Sequence, residues 1–240
     1  MLRNIFWYAS GWTYLFTTMP ALLRIRYLDK KGRISEKEEL ANRFSMMLAR
    51  GLFKLSGSTL ELTGLEKIPD GPVLFVSNHQ SHMDNAVIHG YINKRKGFVA
   101  DKDAANIPII RTWMKYMNCI FIDRKNAGSN ISSLERGINL LRTGHSLVIY
   151  PEGRINASSR LIEFKKGCVK LAVKAEVPIV PITLDGSGKV MSRKGFVRSA
   201  HVKCIISDPI YITRHRNADE KALIKKVKEI IANNLSSSIQ

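Results

Sequence analysis

An α/β fold is predicted by three features of the chain: apolar runs of strand length recur along it, stretches with helical periodicity fill the gaps between them, and polar turns carrying His, Asp, Glu and Arg follow several of the runs. The runs lie at residues 73–77, 119–122, 146–150 and 179–184, and the helical stretches near 84–93, 132–142 and 166–175. A later strand-like run at 201–206 and a terminal helix from about 219 to 235 close the chain. With 240 residues, 45% of them hydrophobic, the chain is long enough to bury a sizeable core.

The N-terminal elements differ from this pattern. Residues 4–23 carry no charge and hold six aromatics, and Arg24, Arg26, Lys30, Lys31 and Arg33 follow, which is a membrane-type boundary. As a helix the segment places Ile5, Tyr8, Trp12, Leu15, Met19 and Leu22 on one face and Ser10, Thr13 and Thr17 on another. The polar stripe, Gly11 and Pro20 favour a helix lying in the membrane interface; the alternatives are a single span, which takes about 20 predominantly apolar residues, and a buried or cleaved segment. A second helix is signalled from Ser35, which makes a capping-box pattern with Glu38, and it runs to about Gly57 with Leu40, Phe44, Met47, Leu48, Leu52 and Leu55 on one face. Its basic stripe, Arg43, Arg50 and Lys54, suits lipid phosphates or simple solvation. The expected division is therefore a two-helix amphipathic, membrane-associating appendage at 1–57 and an α/β domain at 58–240.

Charge and cysteine content narrow the function. The 38 Lys+Arg against 20 Asp+Glu give a formal net charge of +18, which draws polyanions: nucleic acid, anionic lipid or an acidic carrier protein. Lys94, Arg95 and Lys96 are the strongest feature for nucleic acid, but no recognised nucleic-acid motif accompanies them and the uncharged aromatic N-terminus is unsuited to that role, so no nucleic-acid partner is expected. Three widely spaced cysteines, Cys119, Cys168 and Cys204, suggest neither a disulfide framework nor a zinc site and fit a reducing compartment.

The segment Val73-Leu-Phe-Val-Ser-Asn-His-Gln-Ser-His-Met-Asp84 runs from strand through turn into helix, so His79 is expected at a strand end, where sites in open sheets gather. Residues five apart point away from each other on a continuous helix; His79 and Asp84 can pair only if His79 lies in the turn and Asp84 in the first helical turn. A histidine steadied by a carboxylate takes a proton from an alcohol. Ser81 and Asp84 also form a capping pattern, so Asp84 has a purely structural alternative role. His79 and His82 offer a metal only two ligands, and no metal or other cofactor is expected. Pro151 and Gly153 predict a tight turn that lifts Glu152 and Arg154 out of the sheet, and Phe164-Lys-Lys-Gly167 opens a helix whose N-terminus suits a phosphate. Arg124, after the run Ile120-Phe-Ile122, offers a guanidinium at a further strand end. No G-x-S-x-G elbow and no Walker loop is present.

Four blocks in fixed order resemble the PlsC-like glycerolipid acyltransferases, the family that includes 1-acylglycerol-3-phosphate acyltransferase. They are Asn78-His79 through Asp84, Asn118-Cys-Ile-Phe-Ile-Asp-Arg124, Tyr150-Pro-Glu-Gly-Arg-Ile-Asn156 and Val177-Pro-Ile-Val-Pro-Ile182. The second has Asn118 where the family has Gly, and in the third Arg154 stands one place early, with Ile155 at the usual arginine position. Lys102 with Ile107-Pro108, and Phe164-Lys-Lys-Gly167, resemble the stretches that follow the first and third blocks. The likeness implies a mixed central sheet flanked by helices, as in glycerol-3-phosphate acyltransferase. It implies His79 as base and Asp84 as its orienter, with Lys102, Arg124, Glu152, Gly153, Arg154 and Lys165 shaping the substrate site. The implied reaction moves an acyl group from acyl-ACP or acyl-CoA to 1-acyl-sn-glycerol-3-phosphate, or to another lysophospholipid or lipid alcohol, on an anionic membrane surface. The implied location is the cytoplasmic face of a membrane, the inner membrane in a bacterium. A non-catalytic lipid-binding module on the same fold is the alternative of a different class.

Overall fold

The computed structural model describes residues 2–123, 127–156, 158, 160–192, 194–212 and 219–235. The N-terminal arm contains α1 (Leu2–Thr17), α2 (Met19–Lys30) and α3 (Ile34–Leu55). The chain continues as β1 (Thr59–Thr63), β2 (Leu74–Ser77), α4 (Met83–Tyr91), β3 (Lys96–Asp101), α5 (Pro108–Tyr116), β4 (Ile120–Ile122), α6 (Ala127–Arg142) and β5 (Ser146–Ile149). It continues with α7 (Lys170–Ala175), β6 (Ile179–Asp185), α8 (Ser187–Val190), β7 (His201–Ile206) and α9 (Glu220–Asn234). The seven strands form one mixed sheet of order β1-β7-β6-β2-β5-β3-β4, parallel throughout except between β6 and β7.

The central strands β2, β5 and β6 are buried at all but one position and mostly apolar, because both faces of the sheet are covered. Val73, just before β2, and Phe75 on it enter one core with Val148, Val180, Ile182 and Phe53, while Leu74 and Val76 enter the other with Leu147, Ile149, Ile179 and Val227. Alternation in space thus reads as continuity in sequence.

The stretch read as one N-terminal helix is divided at Thr18, just before Pro20, and its two halves together form the first arm of the appendage, with α3 the second. Its inward face is Trp7, Gly11, Leu15, Thr18, Leu22 and Ile25, spaced three or four apart and all buried. The apolar face expected from sequence therefore splits: Leu15 and Leu22 pack inward, whereas Ile5, Tyr8, Trp12 and Met19 stand exposed beside Phe16, Leu23 and Tyr27. The 100° step per residue leaves a second apolar stripe exposed among the described residues. Among the described residues no helix is long and apolar enough to cross a membrane, so the single-span alternative has no helix to carry it.

The capping box expected at Ser35 does not form. The helix begins one residue earlier, with Arg33 at its cap position, and Glu38 turns outward to His145 Nε2 at 3.2 Å and Arg95 Nη1 at 3.4 Å. Helix α3 lies close along α4: Ser45 Oγ meets His89 Nε2 at 2.8 Å, Arg50 Nε donates to Gly90 O, and a Cβ on Gly90 would stand 3.0 Å from the Arg50 backbone nitrogen.

Candidate active site

Strand register assembles the site. Val76 pairs with Ile149 on the parallel neighbour β5, so the residues that follow run side by side off the C-terminal edge and bring His79 next to Glu152. On the other flank Ser77 pairs with Ile182 of β6, and the Asn78 amide then bridges Leu184, donating to its carbonyl at 2.7 Å and accepting from its N–H at 2.8 Å. That bond fixes the start of the turn. Asp101 pairs with Ile122, and the ion pair of Lys102 Nζ with Asp123 Oδ2, 3.6 Å, lies at the same edge of the sheet two strands on.

The turn separates His79 from α4 as the pairing requires. His79 Nδ1 lies 2.8 Å from Asp84 Oδ2, and the same oxygen accepts the backbone N–H groups of Gln80 at 2.6 Å and Ser81 at 2.9 Å. Asp84 is fully buried, and its Oδ1 has no hydrogen-bond partner among the described residues. One carboxylate oxygen therefore meets both the imidazole and the backbone of the turn that leads into α4, the contacts on which the orienting and capping readings each rest. Ser81 completes the cap by accepting from Met83 N–H at 3.1 Å.

Two further contacts hold the histidine. The Tyr150 ring stacks on the imidazole at a centroid distance of 3.9 Å and an interplanar angle of 11°, and its hydroxyl donates to Asn85 Oδ1 at 2.9 Å. Desolvation, reinforced by the Asp84 charge, pushes the Tyr150 phenol well above its ordinary pKa, so it stays a donor. Glu152 Oε1 accepts the His79 backbone N–H at 2.9 Å and its Oε2 accepts from Asn156 Nδ2 at 2.8 Å, while Asn156 N–H donates to His79 O at 2.7 Å. Burial raises the Glu152 pKa, partly offset by these hydrogen bonds. The third block thus clamps the first. Tyr150 and Asn156 were not singled out from sequence; their only signal was membership of a block whose neighbours carry charge.

Two of the expected cations, Arg154 and Lys165, lie at the turn around Gly153. Gly153 takes φ +67°, closing the predicted turn through its N–H to Tyr150 O at 3.0 Å. A Cβ there would lie 2.8 Å from Lys165 Nζ, so the ammonium rests over the glycine. Arg154 stands exposed as the turn predicts, whereas Glu152 turns inward and is 4% exposed. Arg124 lies outside the described residues. The helix expected from Lys166 is a 3₁₀ turn, Lys166–Cys168, followed by six α-helical residues, so it supplies only a short dipole and Lys165 brings its charge directly. His82 is exposed, and no set of three metal-ligating residues gathers among the described residues.

The chain is similar to known proteins over this region. A family model described as Acyltransferase matches residues 59–185. A 1-acyl-sn-glycerol-3-phosphate acyltransferase of Brassica napus chloroplasts is 36% identical over 155 residues, covering 63% of this chain and 45% of that protein. A probable 1-acyl-sn-glycerol-3-phosphate acyltransferase of Mycoplasma pneumoniae is 35% identical over 153 residues, 62% of this chain and 58% of that one. The chain thus spans about half the length of these relatives. The crystal structure of the 1-acyl-sn-glycerophosphate acyltransferase PlsC from Thermotoga maritima shares the fold, with a TM-score of 0.83 at 24% identity over 98% of this chain and 93% of that one. With the matched region starting at β1 and ending with β6, and so containing His79, Asp84 and the whole clamp around them, the chain belongs to the acyltransferase family.

Proposed function

We propose that this protein transfers an acyl group from a thioester, acyl-ACP or acyl-CoA, to the free hydroxyl of 1-acyl-sn-glycerol-3-phosphate. The observation that carries the reading is the His79–Asp84 pair at the C-terminal edge of the parallel strands, with Lys102, Arg154 and Lys165 at the same edge. With Nδ1 donating to Asp84, the neutral ring presents the lone pair of Nε2. Nε2 takes the acceptor's hydroxyl proton as the oxygen attacks the thioester carbonyl. The tetrahedral intermediate collapses, the C–S bond breaks, and the imidazolium returns the proton to the departing thiolate. Asp84 stabilises the imidazolium between these steps. No acyl-enzyme is formed.

Within this mechanism Lys165, Arg154 and Lys102 bind phosphate, as cations at a strand edge do, and the family resemblance adds Arg124 to them. Gly153 admits the Lys165 ammonium, and Glu152 acts through His79 and Asn156, since both its oxygens are engaged there. The exposed stripe of α1 and α2, followed by Arg24, Arg26, Lys30 and Lys31, rests on the anionic cytoplasmic leaflet, from which a single-chain lipid enters the cleft sideways.

The test is to incubate purified protein with a radiolabelled acyl thioester and a panel of lysolipids and to identify the product. Phosphatidic acid is expected, and His79→Ala should abolish its formation without unfolding the protein. Equal thioester consumption by His79→Ala would remove the base from the mechanism, and a product from a different lysolipid would reassign the acceptor.

A further inference from the structure

We infer that a hairpin between α8 and β7, carrying Phe196 beside its turn, is a second membrane-contacting element that enters an anionic leaflet beside the α1–α2 stripe; this rests on the membrane reading above. The hairpin is a built structure. Met191 bridges Val197, Ser192 N–H donates to Phe196 O at 3.0 Å, Gly195 N–H donates to Ser192 O at 2.9 Å, and Phe196 N–H donates to Ser192 Oγ at 3.1 Å. Met191 and Val197 are buried and anchor the base, while Lys194, Phe196 and Arg198 stand exposed. Phe196 is 52% exposed although its two neighbours in the hairpin are fixed by hydrogen bonds to α1.

Those bonds set where the tip lies. Tyr8 Oη donates to Gly195 O at 3.0 Å, and Asn4 Oδ1 accepts from Val197 N–H at 2.9 Å. Asn4 and Tyr8 are one turn apart on a single face of α1, and Tyr8 belongs to the exposed stripe that continues through Trp12, Phe16, Met19 and Leu23. The hairpin is therefore tied to the shoulder of the stripe, and Phe196 extends its apolar surface. A cation on either side, Lys194 and Arg198, gives the hairpin the basic–aromatic–basic character that suits an anionic leaflet. A lone exposed phenylalanine means little; one held rigidly between two cations against an uncovered aromatic stripe is continuous with a docking face.

The experiment is sedimentation with phosphatidylglycerol/phosphatidylcholine vesicles, comparing the unaltered protein with Phe196→Ser, Phe16→Ser on the stripe, and Ile131→Ser, an exposed apolar residue of α6 that serves as a control. Phe196→Ser and Phe16→Ser should each weaken partitioning about fivefold, since each removes roughly half of a phenylalanine's burial, and Ile131→Ser should leave it unchanged. Loss in Phe16→Ser with none in Phe196→Ser would overturn the hairpin's role and spare the membrane reading. Equal loss in Ile131→Ser would overturn the hairpin's role by showing that any exposed apolar residue counts. Failure of the unaltered protein to sediment would overturn both. Phe196→Trp gives an independent readout: brominated lipid should quench the added fluorescence, and absence of quenching counts against insertion.

Discussion

The most instructive residue is Asp84, whose one engaged oxygen meets three nitrogens, two from the backbone and one from the His79 ring. Asparagine at 84 can still accept the backbone bonds through its amide oxygen but cannot stabilise an imidazolium. Asp84→Asn should therefore lower kcat by about 10²- to 10⁴-fold while moving the melting temperature by only a few degrees; near-native turnover would leave capping as its whole role. Tyr150 separates two effects in the same way. Its ring orders the imidazole, and its hydroxyl ties the end of β5 to Asn85, the neighbour of Asp84. Tyr150→Phe should keep most of the activity. Tyr150→Leu should lose roughly tenfold or more in kcat with KM little changed, because a misplaced base costs rate rather than binding. A loss confined to KM would make Tyr150 a substrate contact instead.

At the scale of elements, α4 is held at both ends: at the start by the Asp84 cap and at the end by Lys96, whose buried ammonium donates to Ile92 O at 2.6 Å, Lys94 O at 2.9 Å and His89 O at 3.4 Å. Burial, with Arg50 and Lys94 nearby, lowers the Lys96 pKa from 10.5 to about 7. Between pH 7 and pH 10 the unfolded chain holds that proton and the native protein does not, so this group makes stability rise with pH; below pH 7 both states hold it and the penalty for the buried charge is complete. The unfolding free energy of the wild type, measured against Lys96→Met, should rise from pH 7 to 9 by up to about 1.4 kcal/mol per pH unit. A difference that does not change with pH would mean that Lys96 stays charged throughout. The strands bordering this region also mark the limit of what could be read in the sequence. The runs of β2, β5 and β6 were legible because burial on both faces makes nearly consecutive positions apolar. Strand β3 was missed because it opens on Lys96-Gly97, and β1 because it is an edge strand, Thr-Leu-Glu-Leu-Thr, with one face open to solvent. His79 and Asp84 were legible as a spacing across a turn. The inward orientation of Glu152 was not, because it follows from the β2–β5 register, which a single sequence does not reveal.

At the scale of the whole molecule, the proposed membrane contact would act through two forces of different range. The net charge of +18 is long-ranged and screened by salt, with a Debye length of about 10 Å at 0.1 M and 3 Å at 1 M. The stripe through Ile5, Trp12, Phe16 and Leu23 acts only on contact and is not weakened by salt. Their separation is measurable. Raising salt from 0.05 to 0.5 M should reduce binding to vesicles rich in phosphatidylglycerol by at least tenfold, corresponding to a few cations at about 1 kcal/mol each near the surface. A residual affinity should persist at 1 M and should match the salt-independent binding to neutral phosphatidylcholine vesicles. Removing the stripe's aromatics should abolish that residue while leaving the salt-sensitive part. Binding that vanishes entirely at high salt would show that the aromatics never enter the bilayer, and the exposed face of α1 and α2 would then need a protein partner to explain it.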